Sequence, residues 1–201
     1  MKTFLANHLK AEVTSNPQIL KRFSDIFNEE ILPKGSFFLK EKQTIRKLGI
    51  LLEGVMRIYL LDESGIETNL LFITPGRSVS GNFLPFGTSG VYIQCITNVR
   101  LMVAGSDDLT ALLEENELLK TFLYKTLNGA HQHVLNKLTQ YIRMNAMERY
   151  LFFLQEYPGL VNMIPHYQIA NYLGITATQL SRIRKVLAKN ESRDKDSDSS
   201  F

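Results

Sequence analysis

In residues 164–189, IPHYQIANYLGITATQLSRIRKVLAK, four cations (Arg182, Arg184, Lys185 and Lys189) follow Thr176, Ala177, Thr178, Gln179 and Ser181 within one amphipathic run. Small hydrogen-bonding groups beside cations on one helical face suit duplex DNA, a polyanion whose base edges carry a donor and acceptor code. A guanidinium can donate to guanine O6 and N7 together, so Arg182 is the expected base reader. Gln179 suits adenine but falls near the edge of that face. Ala177 and Thr178 offer thymine a methyl contact or a single hydroxyl bond, and Ser181 lies on the same outward face. Arg184, Lys185 and Lys189 suit phosphates, which position a protein without specifying sequence. The bland alternative is a solvated basic helix whose charges suit its C-terminal dipole.

Such a face needs a rigid mount, and the surrounding residues predict a helix-turn-helix. Ile169, Leu173, Ile175, Leu180 and Ile183 fall where two short crossing helices bury apolar side chains, and Ala170 is small where they cross. Gly174 sits between them, where a left-handed backbone is cheap only for glycine. Thr176 is the expected N-cap of the second helix. A helix starting at the cap places its N-terminal half in the major groove.

Ahead of this unit, residues 107–157 read as interrupted helix, with a start at Asp107 and Asp108, a break at 114–117 and a long helix over 118–143. Leu127, Ala130, His131, Val134, Leu138 and Tyr141 recur at three- and four-residue spacing, a narrow seam of the kind one helix offers another. The seam either pairs two copies of the chain or packs within one. A two-fold DNA reader needs the first, and Leu135 and Ile142 beside it are candidates to pack on the chain's own domains. His131 and His133 stand two residues apart and share no helical face, so they predict no metal site. Residues 144–157 carry the core face Tyr150, Leu151, Phe153 and Leu154.

From residue 32 to about 104 glycines separate short runs rich in Ile, Val, Leu, Phe and Tyr, the pattern of a sandwich or barrel. The clearest pair, 54–61 and 68–74, is joined by Asp62-Glu-Ser-Gly65 as a hairpin. A second run, 91–104, returns across the sheet. Residues 1–29 predict helix, with Phe4, Leu5, Leu9, Ile19, Leu20, Phe23 and Phe27 at helical spacing.

The chain has 201 residues, 44% hydrophobic, 12 phenylalanines and a formal net charge of +3, so it holds a sizeable core without being a general polyanion binder. No run approaches the ~20 apolar residues that span a bilayer, and no signal-type segment opens the chain, so no membrane partner and a cytoplasmic location are expected. Cys95 is the single cysteine, in an apolar strand-like run, which excludes an intrachain disulfide or a four-cysteine cluster. No Ser/His/Asp set, metal cluster or phosphate loop appears at informative spacing, and Glu29-Glu30 and Glu114-Glu115 read as solvated. An enzyme is not expected. The polar segment ESRDKDSDSSF reads as a disordered tail.

The order of these parts resembles the cyclic-AMP receptor protein/FNR superfamily of bacterial transcription regulators. LLEGVMRIYLLDESGIETNLLFITPGRSV is similar to that family's glycine-punctuated strands and hairpin, and NAMERYLFFLQEYP and HYQIANYLGITATQLSRIRKVL to its DNA-binding domain. The resemblance covers about residues 15–189. It implies an α+β chain: an N-terminal β-roll of the cyclic-nucleotide-binding jelly-roll type within 1–117, a long dimerisation helix over 118–143, a winged helix-turn-helix over 144–190 and a tail over 191–201. The implied partners are a second copy of the chain, duplex DNA with a two-fold operator, and RNA polymerase.

Members that bind cyclic AMP carry Gly-Glu-Leu and, shortly after, Arg-Ser. Here Gly81 matches, Asn82 stands in place of the acid, and Ser89-Gly90 stand near the Arg-Ser position. No Arg or Lys lies between Arg77 and Arg100. A cyclic phosphate would forfeit its strongest charge-assisted bonds, so a response to cyclic AMP is not expected. Phe72, Gly81, Asn82, Phe83, Ser89 and Tyr92 form a candidate effector pocket. Phe72, Phe83, Phe86 and Tyr92 either line it for a less polar ligand or simply fill the roll. No cofactor is expected. In the second helix Ala177 and Thr178 follow the cap where the family often has Arg or Pro and then Glu, which implies a different operator.

Overall fold

The structure, a computed structural model, describes residues 16–81 and 87–198. Phe4, Leu5, Leu9, Asn82, Phe83, Phe86 and Phe201 lie outside the described residues. The chain divides into two compact units, Met1–Lys137 and Leu138–Phe201. The long helix expected as a separate piece therefore begins in one unit and ends in the other.

The first unit opens with α1 (Pro17–Asp25), whose N-cap Asn16 accepts the Gln18 N–H at 3.0 Å. Helix was expected through residue 29, but it stops because Phe27 is claimed by a sheet. β1 (Phe27–Leu32) pairs antiparallel with β8 (Val99–Gly105), Phe27 opposite Ala104, and the Phe27 ring is buried. Between them run β2 (Phe37–Leu39), β3 (Lys47–Glu53), β4 (Met56–Leu61), β5 (Glu67–Ile73), β6 (Ser78–Val79) and β7 (Tyr92–Cys95). They form two four-stranded sheets, in the orders β1-β8-β3-β6 and β2-β7-β4-β5.

The run over 91–104 proves to be two strands in different sheets, joined by a corner at residues 96–98. The corner forms because Val55 takes three bonds from it: its N–H donates to Thr97 Oγ1 at 2.8 Å, and its carbonyl accepts the N–H groups of Ile96 and Thr97. The β4–β5 hairpin is as expected. Asp62 Oδ1 accepts the N–H groups of Ser64 and Ile66, and Gly65 at φ +83° supplies the left-handed residue.

Strand alternation sorts the core into two layers. Leu51, Met56, Ile73, Val79, Ile93, Cys95, Val99 and Leu101 meet Phe38 and Leu39 in one apolar cluster. Met102 and Ala104 of β8 belong to a second cluster with Phe23 and Phe27, completed by Leu109 and Leu112 of α2 (Ser106–Glu114) and by Leu119. Cys95 is buried in the first cluster, and burial pushes its thiol pKa up, which keeps it an inert core thiol. The expected helix break falls at Asn116, whose Oδ1 caps the N–H groups of Leu118 and Leu119 at the start of α3 (Glu117–Arg143).

The second unit continues with α4 (Ala146–Glu156), opened by a capping box: Asn145 Oδ1 accepts from Met147 and Glu148, and Glu148 accepts the Asn145 N–H at 2.8 Å. After Tyr157 the chain turns through Gly159 at φ +77° into a single 3-10 turn, Leu160–Asn162. Then come α5 (His166–Tyr172) and α6 (Ala177–Asp198). Phe153, Tyr157 and Tyr172 pack ring on ring at their centre, with Ile169, Leu173 and Leu180 buried around them. In so small a unit such aromatic contacts supply much of the core.

Two expectations about this unit are corrected. Among the described residues no strand follows β8, so no wing strand lies among them; a 3-10 turn occupies the α4–α5 link, and α6 runs on as helix to Asp198. The tail over 191–201 was expected to be disordered, yet α6 runs to Asp198. From Ala177 to Asp198 there is no Gly or Pro to stop it, and polar side chains do not oppose a helix that needs no partner on one face.

Candidate nucleic-acid interface

The turn between α5 and α6 is a Schellman motif. The Ile175 N–H donates to the Ala170 carbonyl at 3.0 Å and the Gly174 N–H to Asn171 at 3.1 Å, with Gly174 left-handed at φ +65°. Two residues later Thr176 Oγ1 accepts the Gln179 N–H at 3.1 Å while Gln179 Oε1 accepts the Thr176 N–H at 2.9 Å. The Thr176 cap is as expected, but Gln179 is the other half of a capping box. Its amide oxygen accepts this backbone N–H, so Gln179, expected as an adenine reader, also fixes where α6 starts.

Beyond the box, Ala177, Thr178, Ser181, Arg182, Lys185 and Lys189 are exposed, while Leu180 is buried and Ile183 half-buried. Thr178, Arg182, Lys185 and Lys189 follow four-, three- and four-residue steps, one continuous outward row. Arg184 departs from the expectation. It is half-buried, and its Nη1 lies 2.8 Å from the ring nitrogens of His166 at the start of α5, so it braces the two helices instead of pointing outward.

Burial pushes the phenol of Tyr172 far above its ordinary range, helped by neighbouring Tyr157 and by Glu156, to which Tyr172 donates at 3.2 Å. Burial likewise raises Tyr141, against the opposing pull of Arg149. Folding therefore favours both neutral phenols. Their contribution to stability is complete below the ordinary value of 10.0 and is lost as pH climbs above it toward the raised folded values. Melting temperatures between about pH 8 and about pH 11 should fall in the upper part of that range, and Tyr172→Phe should flatten the fall. An equally steep fall in the variant would remove Tyr172 as its source.

No family model matches the sequence, and no curated protein is significantly similar to it in sequence. Solved structures are similar over most of the chain. FixK2 from Bradyrhizobium japonicum superposes with a TM-score of 0.75 at 19% identity, covering 83% of this chain and 86% of that one. A protein from Eubacterium rectale assigned to the Crp/Fnr transcriptional regulators gives 0.70 at 17% identity, over 90% and 87% of the two chains. The c-di-GMP-responsive global regulator CLP of Xanthomonas campestris gives 0.67 at 14% identity, over 88% and 93%. The chain has the Crp/Fnr fold.

Within the Crp/Fnr fold, the residues named for an effector pocket do not converge. Phe72 pairs opposite Arg57, and Tyr92 stacks on Tyr59 with centroids 5.0 Å apart; strand alternation turns these residues away from the Ile93 and Cys95 core. Gly81 and Ser89 lie instead beside Leu39 of that core: a Cβ on Gly81 would come within 1.9 Å of Leu39 Cδ2. The Ser89 hydroxyl donates to the Val91 carbonyl at 2.8 Å and accepts the Val91 N–H, so it serves its own loop. The described members of the set therefore surround no common space. A cavity on the roll is lined by Phe38, Leu39, Gln43, Thr44, Arg46 and Lys47; none of these belongs to that set, though the Ser89 N–H donates to the Gln43 carbonyl beside it at 2.9 Å.

The cation that the sequence reading passed over in this unit is Arg57, buried on β4. Its Nε and Nη2 donate to Gln94 Oε1, and its Nη1 to Glu67 and Asn69, while the guanidinium lies 4.1 Å from the Tyr59 ring centroid. Every nitrogen is engaged within the roll, as a buried guanidinium requires.

Along α3 the seam residues are largely open. Val134 is 53% and Leu138 56% exposed, His131 is exposed and Leu127 half-buried. Leu135 and Ile142 were expected to pack on the chain itself, but they are 41% and 75% exposed and widen the apolar strip instead. Tyr124, at 70%, extends it one step toward the helix start, a position its three-residue spacing from Leu127 could have revealed. Tyr141 is 39% exposed, and its hydroxyl donates to the Tyr172 carbonyl of its own unit.

Proposed function

We propose that the chain is a sequence-specific DNA-binding transcription regulator that acts as a homodimer and does not answer to cyclic AMP. The carrying observation is the outward row Thr178, Arg182, Lys185 and Lys189 on a helix whose start is fixed by a capping box and a Schellman turn. Ala177, Thr178 and Ser181 approach base edges, Arg182 reads guanine, and Lys185 and Lys189 hold phosphates. Thr176 sets the depth of the helix in the groove. The exposed strip Leu127, His131, Val134 and Leu138 pairs with its copy on a second subunit, which brings two reading helices to half-sites about one DNA turn apart. Support for the regulatory role comes from the shared fold, since the structures it resembles include transcription regulators. RNA polymerase is the expected protein partner on that reading, in the cytoplasm.

Selection of bound fragments from a random duplex pool should return a two-fold motif. On that motif Arg182→Ala should lose about 1–3 kcal/mol of discrimination at one base pair. Lys185→Ala should weaken all duplexes alike and lower the salt slope by about one phosphate per subunit. Equal specificity in the Arg182 variant would take base reading away from that residue, and salt-insensitive binding would remove the phosphate role.

A further inference from the structure

The last carbonyls of a helix have no partner within it. In α5 the Schellman turn serves two of them, Ala170 and Asn171. The next two are served from elsewhere in the second unit. Tyr141, in the last turn of α3, donates its hydroxyl to the Tyr172 carbonyl, and Arg149 of α4 donates Nε–H to the Leu173 carbonyl at 3.2 Å. The Arg149 guanidinium also donates to the Met144 carbonyl at 2.9 Å and lies 5.2 Å from the centroid of the Tyr141 ring. Gly174 completes the arrangement: its φ of +65° favours glycine, and a Cβ there would stand 3.2 Å from Tyr141 Cε1, so the ring would have to give by a few tenths of an ångström.

We propose that Tyr141 and Arg149 are positioning residues for the reading helix. They tie the α5–α6 turn to the end of the seam helix and so set the angle at which α6 leaves it, although neither lies on the outward row of α6. This inference rests on the DNA-reading function above. Tyr141 occupies the heptad position of Leu127 and Val134, seven residues on from the second, so the seam's own periodicity delivers it to the turn. Of the two outer donors, the guanidinium reaches two carbonyls while stacking on the ring, which an ammonium cannot reproduce.

The test uses full-length protein and the duplex selected above. Tyr141→Phe keeps the ring against Gly174 and removes only the donor; Arg149→Lys keeps the charge and loses the fork. Each should weaken the selected duplex about tenfold, the size of a lost hydrogen bond to a part-buried carbonyl. The double variant should be little weaker than either alone, since both act through one turn. Affinity for unrelated duplex and the dimer dissociation constant should stay within about twofold, less than half of one such bond. Amide exchange at Gly174 and Ile175 should quicken in both variants while Phe153 and Tyr157 stay protected.

A lower melting temperature with unchanged affinity for the selected duplex would make the pair a mere helix cap and overturn the proposal. Loss of dimers in Tyr141→Phe would overturn it differently, making Tyr141 a seam residue. Wild-type protein that binds no duplex would overturn the DNA-reading function itself, a result recognisable without either variant.

Discussion

Gly54→Ala loses about 2–6 kcal/mol of stability, a large share of the ~5–15 kcal/mol that holds a typical domain folded. Two costs add. Gly54 sits at φ +90°, a backbone region that costs other residues about 1–3 kcal/mol. Its Cβ would also stand 2.3 Å from the Asn98 carbonyl oxygen, 2.7 Å from Thr97 Oγ1 and 2.9 Å from a Val99 methyl. Such overpacking costs about 1–3 kcal/mol when the neighbours can move. Here they cannot move freely, because the Asn98 oxygen is backbone and Thr97 holds the Val55 N–H. The corner that Gly54 touches passes the chain from one sheet to the other, so the strain falls where the two sheets are joined. Urea unfolding of the variant against the wild type measures the loss. A difference under about 1 kcal/mol would mean that this corner is not tightly packed. Gly65 is the built-in control, since nothing lies within 4 Å of its missing Cβ and only its φ of +83° opposes a side chain.

On the proposed homodimer, Val134→Glu with Leu138→Glu should convert dimer to monomer without unfolding the subunit. Both side chains are more than half exposed, so the chain's own core does not need them. In a paired seam they would meet their copies, and four carboxylates would be desolvated together, which far outweighs any gain from the rest of the strip. In the proposed dimer two reading helices would bind two half-sites as a single linked event, and linkage of this kind multiplies affinity by about 10²–10⁴. DNA affinity should fall by that factor even though no DNA-facing residue has changed. Sedimentation and duplex titration read the two effects separately. Dimers that persist in the variant would place the subunit contact elsewhere.

Much of this molecule was legible in the linear chain. The Gly174 turn, the Thr176 cap, the apolar spacing of Ile169, Leu173 and Leu180, and the Asp62–Gly65 hairpin are local features, decided by residues within one or two turns of each other. Their physics is carried by backbone conformation and near-neighbour periodicity, which sequence displays directly. The same holds for the strip along α3, where spacing alone marked Leu127, Val134 and Leu138.

What went unread was set by contacts between residues distant in sequence. Phe27 fits a helix by spacing, yet Ala104 across the sheet makes it a strand residue. Phe72 and Tyr92 look like pocket residues until strand register turns them to the face away from Leu39 and Gly81. Gln179 and Arg184 read as DNA contacts because polar side chains on a helix point outward by default. A backbone N–H in one case and the His166 ring in the other compete for them at shorter range. Tyr141 obeys the seam's heptad and still serves its own turn, because carbonyls left open by α5 lie within reach. The sequence by itself determined the long helix, the hairpin and the outward cationic row proposed as the reading face; only the tertiary structure decided where Phe27 and residues 191–198 belong and which polar groups the fold consumes, because a buried carbonyl or N–H takes the nearest donor or acceptor whatever its place in the chain.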